Sequence, residues 1–198
     1  MANYSLKTPI SADQTQKLRV GDYITITGTI FTARDEAHRR ALQYAKENRP
    51  LPFDTQNGVL YHCGPNVRQI NSSWEIISAG PTTSTRLEKF EADFIKKFGI
   101  KVIIGKGGMA KQTEMALKQY NAVYCAFTGG AGVLAASFIQ SVDQVVWIDL
   151  GIPEAVWILN VQDFGPLFVA IDSHGNNIFT KIDNEIQKNK TLLLNQLK

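Results

Sequence analysis

In the middle of the chain, a run of strand character is followed three times by a turn rich in glycine or hydroxyl side chains and then by a run of helix length. The three strand runs are 74–78, 100–104 and 122–127, and further strand runs lie before and after them. Strands that alternate with helices form sheets covered by helices, and strand-rich ends add further members. The pattern therefore predicts an α/β fold with mixed sheets and with helices after the Gly-rich turns.

The first of these turns, 80–86, has the sequence Gly-Pro-Thr-Thr-Ser-Thr-Arg and places four hydroxyl side chains directly before an arginine. The run after it has apolar residues spaced by three and four, and Gly99 is its stop signal. Hydroxyls and free backbone N–H groups at a helix start favour an anion, and Arg86 adds a forked donor for a carboxylate or phosphate. One hydroxyl would be enough to cap the helix. We therefore predict an acid-binding turn, with capping alone as the alternative.

Two further cations lie at turns between strands and helices. Arg34 comes early in a helix that we expect Thr32 to cap, where its charge opposes the helix dipole, and such a placement often has a functional reason. Lys106 follows the run 100–104, at the edge where open α/β sheets bind ligands, although a solvated loop lysine is the alternative. His38 lies one turn after Arg34 and can face the same side, but a lone helix histidine is more often structural.

The sequence offers few other kinds of site. The turn 105–108 lacks the four-residue gap and the hydroxyl residue of a P-loop, and 129–132 lacks the dinucleotide-binding fingerprint. Cys63 and Cys125 have neither metal-ligand nor redox spacing, and we expect two buried thiols. There is no metal-ligand cluster and no readable nucleophile motif. A small dicarboxylate needs two or three cationic donors, so the cations at the turns predict such a substrate.

Composition limits the setting of the protein. The 198 residues are enough for one large domain or a compact pair, and the formal net charge of +3 is too small to indicate a nucleic-acid partner. Residues 1–10 have no apolar signal region, and no run approaches the length that crosses a membrane. We therefore expect a cytoplasmic protein without a nucleic-acid or membrane partner.

Six segments, taken together, resemble the β subunit of iron–sulfur-dependent hydro-lyases. In chain order they are 32–38, 51–54, 80–86, 105–109, 150–155 and 164–176. That family comprises class I fumarases and L(+)-tartrate dehydratases, and in its single-chain members the same sequence forms the C-terminal domain. The resemblance extends from about Leu6 to Phe179, with Leu87 where the family usually has methionine.

The resemblance implies a swivelling β/β/α domain over residues 1–180, followed by a tail, 181–198, that is either a short docking helix or a frayed end. It implies an α subunit, in an assembly that we expect to be α2β2, which ligates a [4Fe–4S] cluster through its own cysteines. The implied reaction is the reversible hydration of fumarate to L-malate. The alternatives are L(+)-tartrate dehydration and a non-catalytic carboxylate-binding domain.

The resemblance also implies roles for individual residues. The substrate-binding residues would be three cations and one hydroxyl: Arg34, Arg86, Lys106 and Thr83. Thr82 would be the catalytic base. Because a free hydroxyl is too weak an acid to ionise near neutrality, clustered cations in a site without water would have to stabilise its alkoxide. The alternative is that Thr82 only orients the substrate or a water molecule, with His38 or a group of the partner subunit as the base.

Overall fold

A computed structural model of the chain describes residues 1–71 and 73–196. Its strands are β1 (Asn3–Lys7), β2 (Tyr23–Thr32), β3 (Val59–Tyr61), β4 (Asn66–Ile70), β5 (Ser73–Ser78), β6 (Val102–Gly105), β7 (Val123–Ala126), β8 (Ile139–Val146) and β9 (Val156–Ile171). The α-helices are α1 (Ala12–Thr15), α2 (Asp35–Lys46), α3 (Glu88–Phe98), α4 (Lys111–Gln119), α5 (Gly132–Ser137) and α6 (Ile178–Gln196).

Seven of the strands form one mixed sheet in the order β1-β2-β3-β6-β7-β9-β8. The first five strands in this order run parallel to their neighbours, whereas β9 runs antiparallel to β7 and β8. The long β9 also pairs with β2, so the sheet curls and partly closes on itself through these two strands. Strands β4 and β5 form a separate antiparallel hairpin. The mixed sheets, with helices after the Gly-rich turns, confirm the predicted α/β class.

The two faces of the large sheet bury two separate apolar clusters. Along β3, the side chains of Val59 and Tyr61 join one cluster and that of Leu60 joins the other, as the two-residue period of a strand requires. The second cluster includes buried residues of α2, α3 and α4, among them Phe94 and Leu117. These three helices therefore cover one face of the sheet. The other cluster fills the space inside the curl.

The start of α2 differs from the prediction. Thr32 is the last residue of β2, and its hydroxyl accepts a hydrogen bond of 3.0 Å from the backbone N–H of Trp157 on β9. The prediction that Thr32 caps the helix is therefore wrong, because its hydroxyl is already used between strands. Arg34 occupies the cap position in extended conformation and, within the described chain, makes no side-chain capping bond.

The last helix begins at Ile178 and continues to Gln196, so it includes most of the predicted tail. Its apolar side chains Ile182, Ile186 and Leu192 are between 45% and 61% exposed, and no contact shown here assigns them a docking role. That role stays a prediction. Among the helices of the described residues, none is both long enough and apolar enough to span a bilayer.

Candidate active site

The hydroxyl-rich turn lies against the carboxyl ends of two parallel strands. The backbone N–H of Thr82 donates to the carbonyl oxygen of His62, just after β3, at 2.7 Å. The N–H of Ser84 donates at 3.0 Å to the carbonyl oxygen of Lys106, just after β6, and Thr83 pairs with Lys106 as an isolated bridge. Parallel strands end at one edge of a sheet, so these bonds place the turn and Lys106 at the same edge.

The hydroxyls of this turn are not used as helix caps. Residues Ser84–Leu87 form a 3-10 helix that leads into α3, and in the described part of the chain neither Thr83 nor Leu87 makes a side-chain capping bond. The Thr85 hydroxyl donates instead to the carbonyl of Gly108 at 2.8 Å, and the Ser84 hydroxyl is buried beside His62. The capping-only alternative is therefore not what the structure shows.

Arg86 brings a positive charge to the Thr82 hydroxyl. One guanidinium nitrogen lies 3.3 Å from Thr82 Oγ1 and 3.0 Å from Asp35 Oδ2 at the start of α2. A guanidinium can only donate, so the Thr82 oxygen accepts and its own proton is free to point elsewhere. The Arg86 side chain is 47% exposed, which leaves donors available to a substrate carboxylate. This contact is the arrangement that a hydroxyl base would need.

Arg34 is held at the same edge by different partners. Its Nε lies 3.3 Å from Glu154 Oε1, while Glu154 Oε2 accepts a hydrogen bond from the N–H of Glu36. The side chain of Arg34 crosses Gly64 closely, since a Cβ atom added there would lie 2.8 Å from Arg34 Cδ and would also clash with the carbonyl of Pro153. Gly64 therefore makes room for Arg34, and Glu154 fixes its direction.

Lys106 is packed against the second glycine-rich turn. A Cβ atom added to Gly129 would lie 3.0 Å from Lys106 Cδ and 3.5 Å from its Nζ. The glycine at this position thus lets the lysine side chain pass along the backbone of the turn. The structure brings the turn 80–86, Lys106 and Arg34 to one edge of the sheet, and their roles toward a substrate stay predictions.

Behind this edge lies a buried group of ionisable side chains, His38, His62 and Glu91. All three have no exposed surface, and Glu91 Oε2 lies 3.4 Å from His38 Nε2 and 3.1 Å from His62 Nε2. The prediction that His38 could contact substrate is not supported by this position inside the core. His62 and Glu91 were not predicted at all. Glu91 could have been noticed, because it lies on the apolar face of α3, three and four residues before Phe94 and Ile95.

The charges in this group can be assigned from their surroundings. Burial lowers the pKa of His62 and outweighs the attraction of Glu91, so His62 is neutral. Burial by itself would raise the pKa of Glu91, but the nearby His62 and His38 rings lower it to about 2, so its carboxylate is ionised. An ionised carboxylate in a dry core requires a compensating positive charge.

Among the described residues, one group of side chains could hold a metal ion, and two thiols are free. The ligating atoms of His38, His62 and Glu91 lie within 4.8 Å of one another, but they are three, and a closed structural site uses four. Cys63 and Cys125 are free, buried thiols, as expected. Burial raises the pKa of both thiols, which disfavours the thiolate form that an iron–sulfur cluster needs. These two cysteines therefore do not fit a cluster.

Comparison with known proteins places this geometry in a family. Residues 1–182 match the family model described as "Fumarase C-terminus". The chain is 44% identical over 176 residues to L(+)-tartrate dehydratase subunit beta of Escherichia coli, which covers 89% of this chain and 86% of that protein. A Methanocaldococcus jannaschii protein provisionally given the same name is 46% identical over 172 residues, 86% of this chain and 88% of its own length.

A protein of Geobacillus stearothermophilus, provisionally named fumarate hydratase class I, is 40% identical over 195 residues. The match covers 98% of this chain but only 36% of that protein, so the chain corresponds to one part of a longer relative. Both kinds of relative carry the names of hydro-lyases. With a family match over most of its length, this chain belongs to the fumarase C-terminus family.

Proposed function

We propose that this chain is the β subunit of a hydro-lyase that catalyses the reversible hydration of fumarate to L-malate, together with an α subunit. The observation that carries the proposal is the contact of 3.3 Å between Arg86 and the Thr82 hydroxyl at the edge where Lys106 and Arg34 also lie. The names of the relatives support the reaction class. The subunit naming of the Escherichia coli and Methanocaldococcus jannaschii relatives supports a partner chain, for which we propose an α2β2 assembly in the cytoplasm.

Thr82 is the proposed base that takes the proton from the methylene carbon of malate. The guanidinium of Arg86 stabilises the alkoxide form of the Thr82 hydroxyl, and Asp35 holds that guanidinium in place. Arg34, Lys106 and the remaining donors of Arg86 bind the substrate carboxylates and stabilise the extra negative charge that develops when the proton leaves. One such donor is typically worth about 3–4 kcal/mol of barrier reduction, so the three cations supply a large part of it.

Thr83 lies beside Lys106 and is the proposed additional substrate-binding hydroxyl. His38 is a poor candidate for the base, because its ring has no exposed surface and its Nδ1 is bonded to a backbone carbonyl. A group of the partner subunit remains the competing base. The proposed α subunit would ligate a [4Fe–4S] cluster, whose exposed iron would supply Lewis-acid activation of the substrate hydroxyl.

L(+)-tartrate is the second candidate substrate, because the relatives that match over most of their own length carry the name of the tartrate enzyme. Tartrate differs from malate by one more hydroxyl group. The three proposed substrate-binding cations, Arg34, Arg86 and Lys106, can bind the carboxylates of both acids. The edge of the sheet described here does not favour one acid over the other. The choice therefore depends on groups that surround the carbon chain in the assembled enzyme.

The test is anaerobic co-expression with the α partner, cluster reconstitution and parallel assays of malate, tartrate and methyl-substituted fumarates. We expect hydro-lyase turnover with malate or tartrate that requires both chains. If the reconstituted complex binds dicarboxylates but converts none of them, the chain is a non-catalytic carboxylate-binding domain and the proposal fails.

A further inference from the structure

We propose that the buried group of His38, His62 and Glu91, called here the core triad, is a positioning device. It fixes Arg34 and the turn 80–86, called here the Thr82 turn, relative to each other. Arg34 and Thr82 lie on separate segments of the chain, at the start of α2 and before α3, so their spacing is not set by the local sequence. The inference rests on the proposed function only for the catalytic importance of these two residues. The link between the segments stands on geometry alone.

The first connection joins the core triad to Arg34. The His38 Nδ1 lies 2.7 Å from the carbonyl oxygen of Arg34, and the backbone N–H of His38 donates to the same oxygen at 3.0 Å. Two donors from one residue thus bind a single carbonyl. Because this carbonyl belongs to the residue that carries the guanidinium, its position sets where the Arg34 side chain begins.

The second connection joins the core triad to the Thr82 turn. The carbonyl oxygen of His62 accepts the N–H of Thr82 at 2.7 Å, and His62 Nδ1 lies 2.9 Å from the hydroxyl of Ser84. The hydroxyl of Tyr124 lies 3.0 Å from the same Ser84 oxygen and 2.9 Å from the carbonyl oxygen of Gly107. Because His62 Nε2 faces the Glu91 carboxylate and carries the proton of the neutral ring, His62 Nδ1 accepts the proton of Ser84. His62 therefore contacts the turn at two points, on either side of Thr83.

Glu91 joins these two connections. Its Oε2 is the shared neighbour of His38 Nε2 at 3.4 Å and of His62 Nε2 at 3.1 Å, and all three side chains are completely buried. Within the described residues these three atoms, and Glu91 Oε1 as well, make no aligned hydrogen bond. The attraction inside the core triad is therefore mainly that between opposite charges.

The hydrogen-bonding partners determine the charge. A carbonyl oxygen only accepts, so His38 Nδ1 must carry a proton where it faces Arg34. His38 Nε2 lies 3.4 Å from the Glu91 carboxylate, and we assign to His38 the positive charge that this buried carboxylate requires. His62 stays neutral with its proton on Nε2 because Ser84 donates to its Nδ1. The core triad then has no net charge, as burial demands.

The matched variants are Glu91→Gln, which keeps the shape and removes the charge, and Asp93→Asn, which removes an exposed charge from the same helix. Removing one member of a buried ion pair leaves the other uncompensated. In Glu91→Gln, hydrogen–deuterium exchange of the chain by itself should rise together in segments 32–38 and 80–86, while segment 139–146 is unchanged. Asp93→Asn should leave all three segments unchanged. Equal acceleration in every segment would make the core triad a general stabiliser and overturn the proposal.

Kinetics of the complex with the α subunit provide the second measurement. Because misplacement of reacting groups by about 1 Å can cost about a hundredfold, Glu91→Gln should lower kcat/KM about ten- to a hundredfold at unchanged cluster content. The double variant with His38→Asn removes the uncompensated charge while an amide still donates to the Arg34 carbonyl, so it should recover part of the loss. If the loss of kcat/KM in the double variant equals the combined losses of Glu91→Gln and His38→Asn, the charge pairing between these residues does not position the site.

These measurements separate this inference from the proposed function. Coupled exchange without any turnover in the wild-type complex would refute the hydro-lyase function and leave the positioning link intact. Turnover in the wild-type complex without coupled hydrogen–deuterium exchange in Glu91→Gln would support the hydro-lyase function and refute the positioning link. If one equivalent of a transition metal copurifies with the chain and is lost in His62→Asn, the core triad is a metal site and the positioning proposal is overturned.

Discussion

Replacing Thr82 by alanine tests the proposed base, because the structure predicts a large loss of turnover with a small loss of stability. The side chain of Thr82 is half-buried, and its hydroxyl accepts a hydrogen bond of 3.3 Å from Arg86. A bond of this kind contributes about 0.5–1.5 kcal/mol, and its length favours the lower end. For a chain of this size, 1 kcal/mol corresponds to a shift of about 2–4 °C in Tm.

Thr82→Ala should therefore fold, assemble with the α subunit and retain the cluster. Turnover should nevertheless fall about 10²–10⁴-fold, the usual contribution of a positioned base. Exchange of the methylene proton of malate with solvent deuterium should fall with it, since both need the same proton transfer. Thr82→Ser keeps a hydroxyl and should recover part of both rates.

Thr85→Ala is the matched control, since its hydroxyl is already bonded to the carbonyl of Gly108 at 2.8 Å. It should leave turnover and exchange close to those of the wild type. The reasoning about Thr82 is refuted if its alanine variant exchanges the methylene proton at a normal rate. Normal exchange with slow dehydration would assign the base to the partner subunit.

Other measurements test the rest of the site. Arg86→Lys should leave kcat/KM at least about tenfold below the wild type, because a lysine cannot contact Asp35 and a carboxylate with one planar fork. Gly64→Ala should raise KM and also lower Tm, because the added methyl group displaces the side chain of Arg34 and clashes with the backbone carbonyl of Pro153. The isolated chain, reconstituted anaerobically, should bind less than stoichiometric iron, since both of its thiols are buried and protonated. The free energy of unfolding should fall as pH drops below 6.5, because burial lowers the pKa of His62 and the unfolded chain binds more protons. It should fall further below pH 4.5, the ordinary pKa of a glutamate carboxyl, since the pKa of Glu91 is about 2 in the folded chain. Denaturant titrations at a series of pH values measure both effects, and a flat profile would contradict the assigned charges.

Periodicity in the sequence determined the α/β class and the positions of the turns. The apolar run before Lys106 is β6, and the spaced apolar residues before Gly99 are α3, which ends where glycine adopts the left-handed conformation at φ 66°. Such features depend on neighbours in the chain and can therefore be predicted locally. The cations at the turns could also be singled out, because each lies in a turn between a run of strand character and a run of helix length.

Contacts between distant segments decided what the sequence left open. The hydroxyl of Thr32 bonds to β9 rather than capping α2, because β9 curls back to pair with β2 more than a hundred residues away along the chain. His38 could have faced either the substrate or the core, and Glu91 on α3 directed it to the core. A helical period reveals which side chains share a face, but not which charge on another element compensates them. Burial and charge compensation are properties of the assembled fold, and so only the tertiary structure determined them.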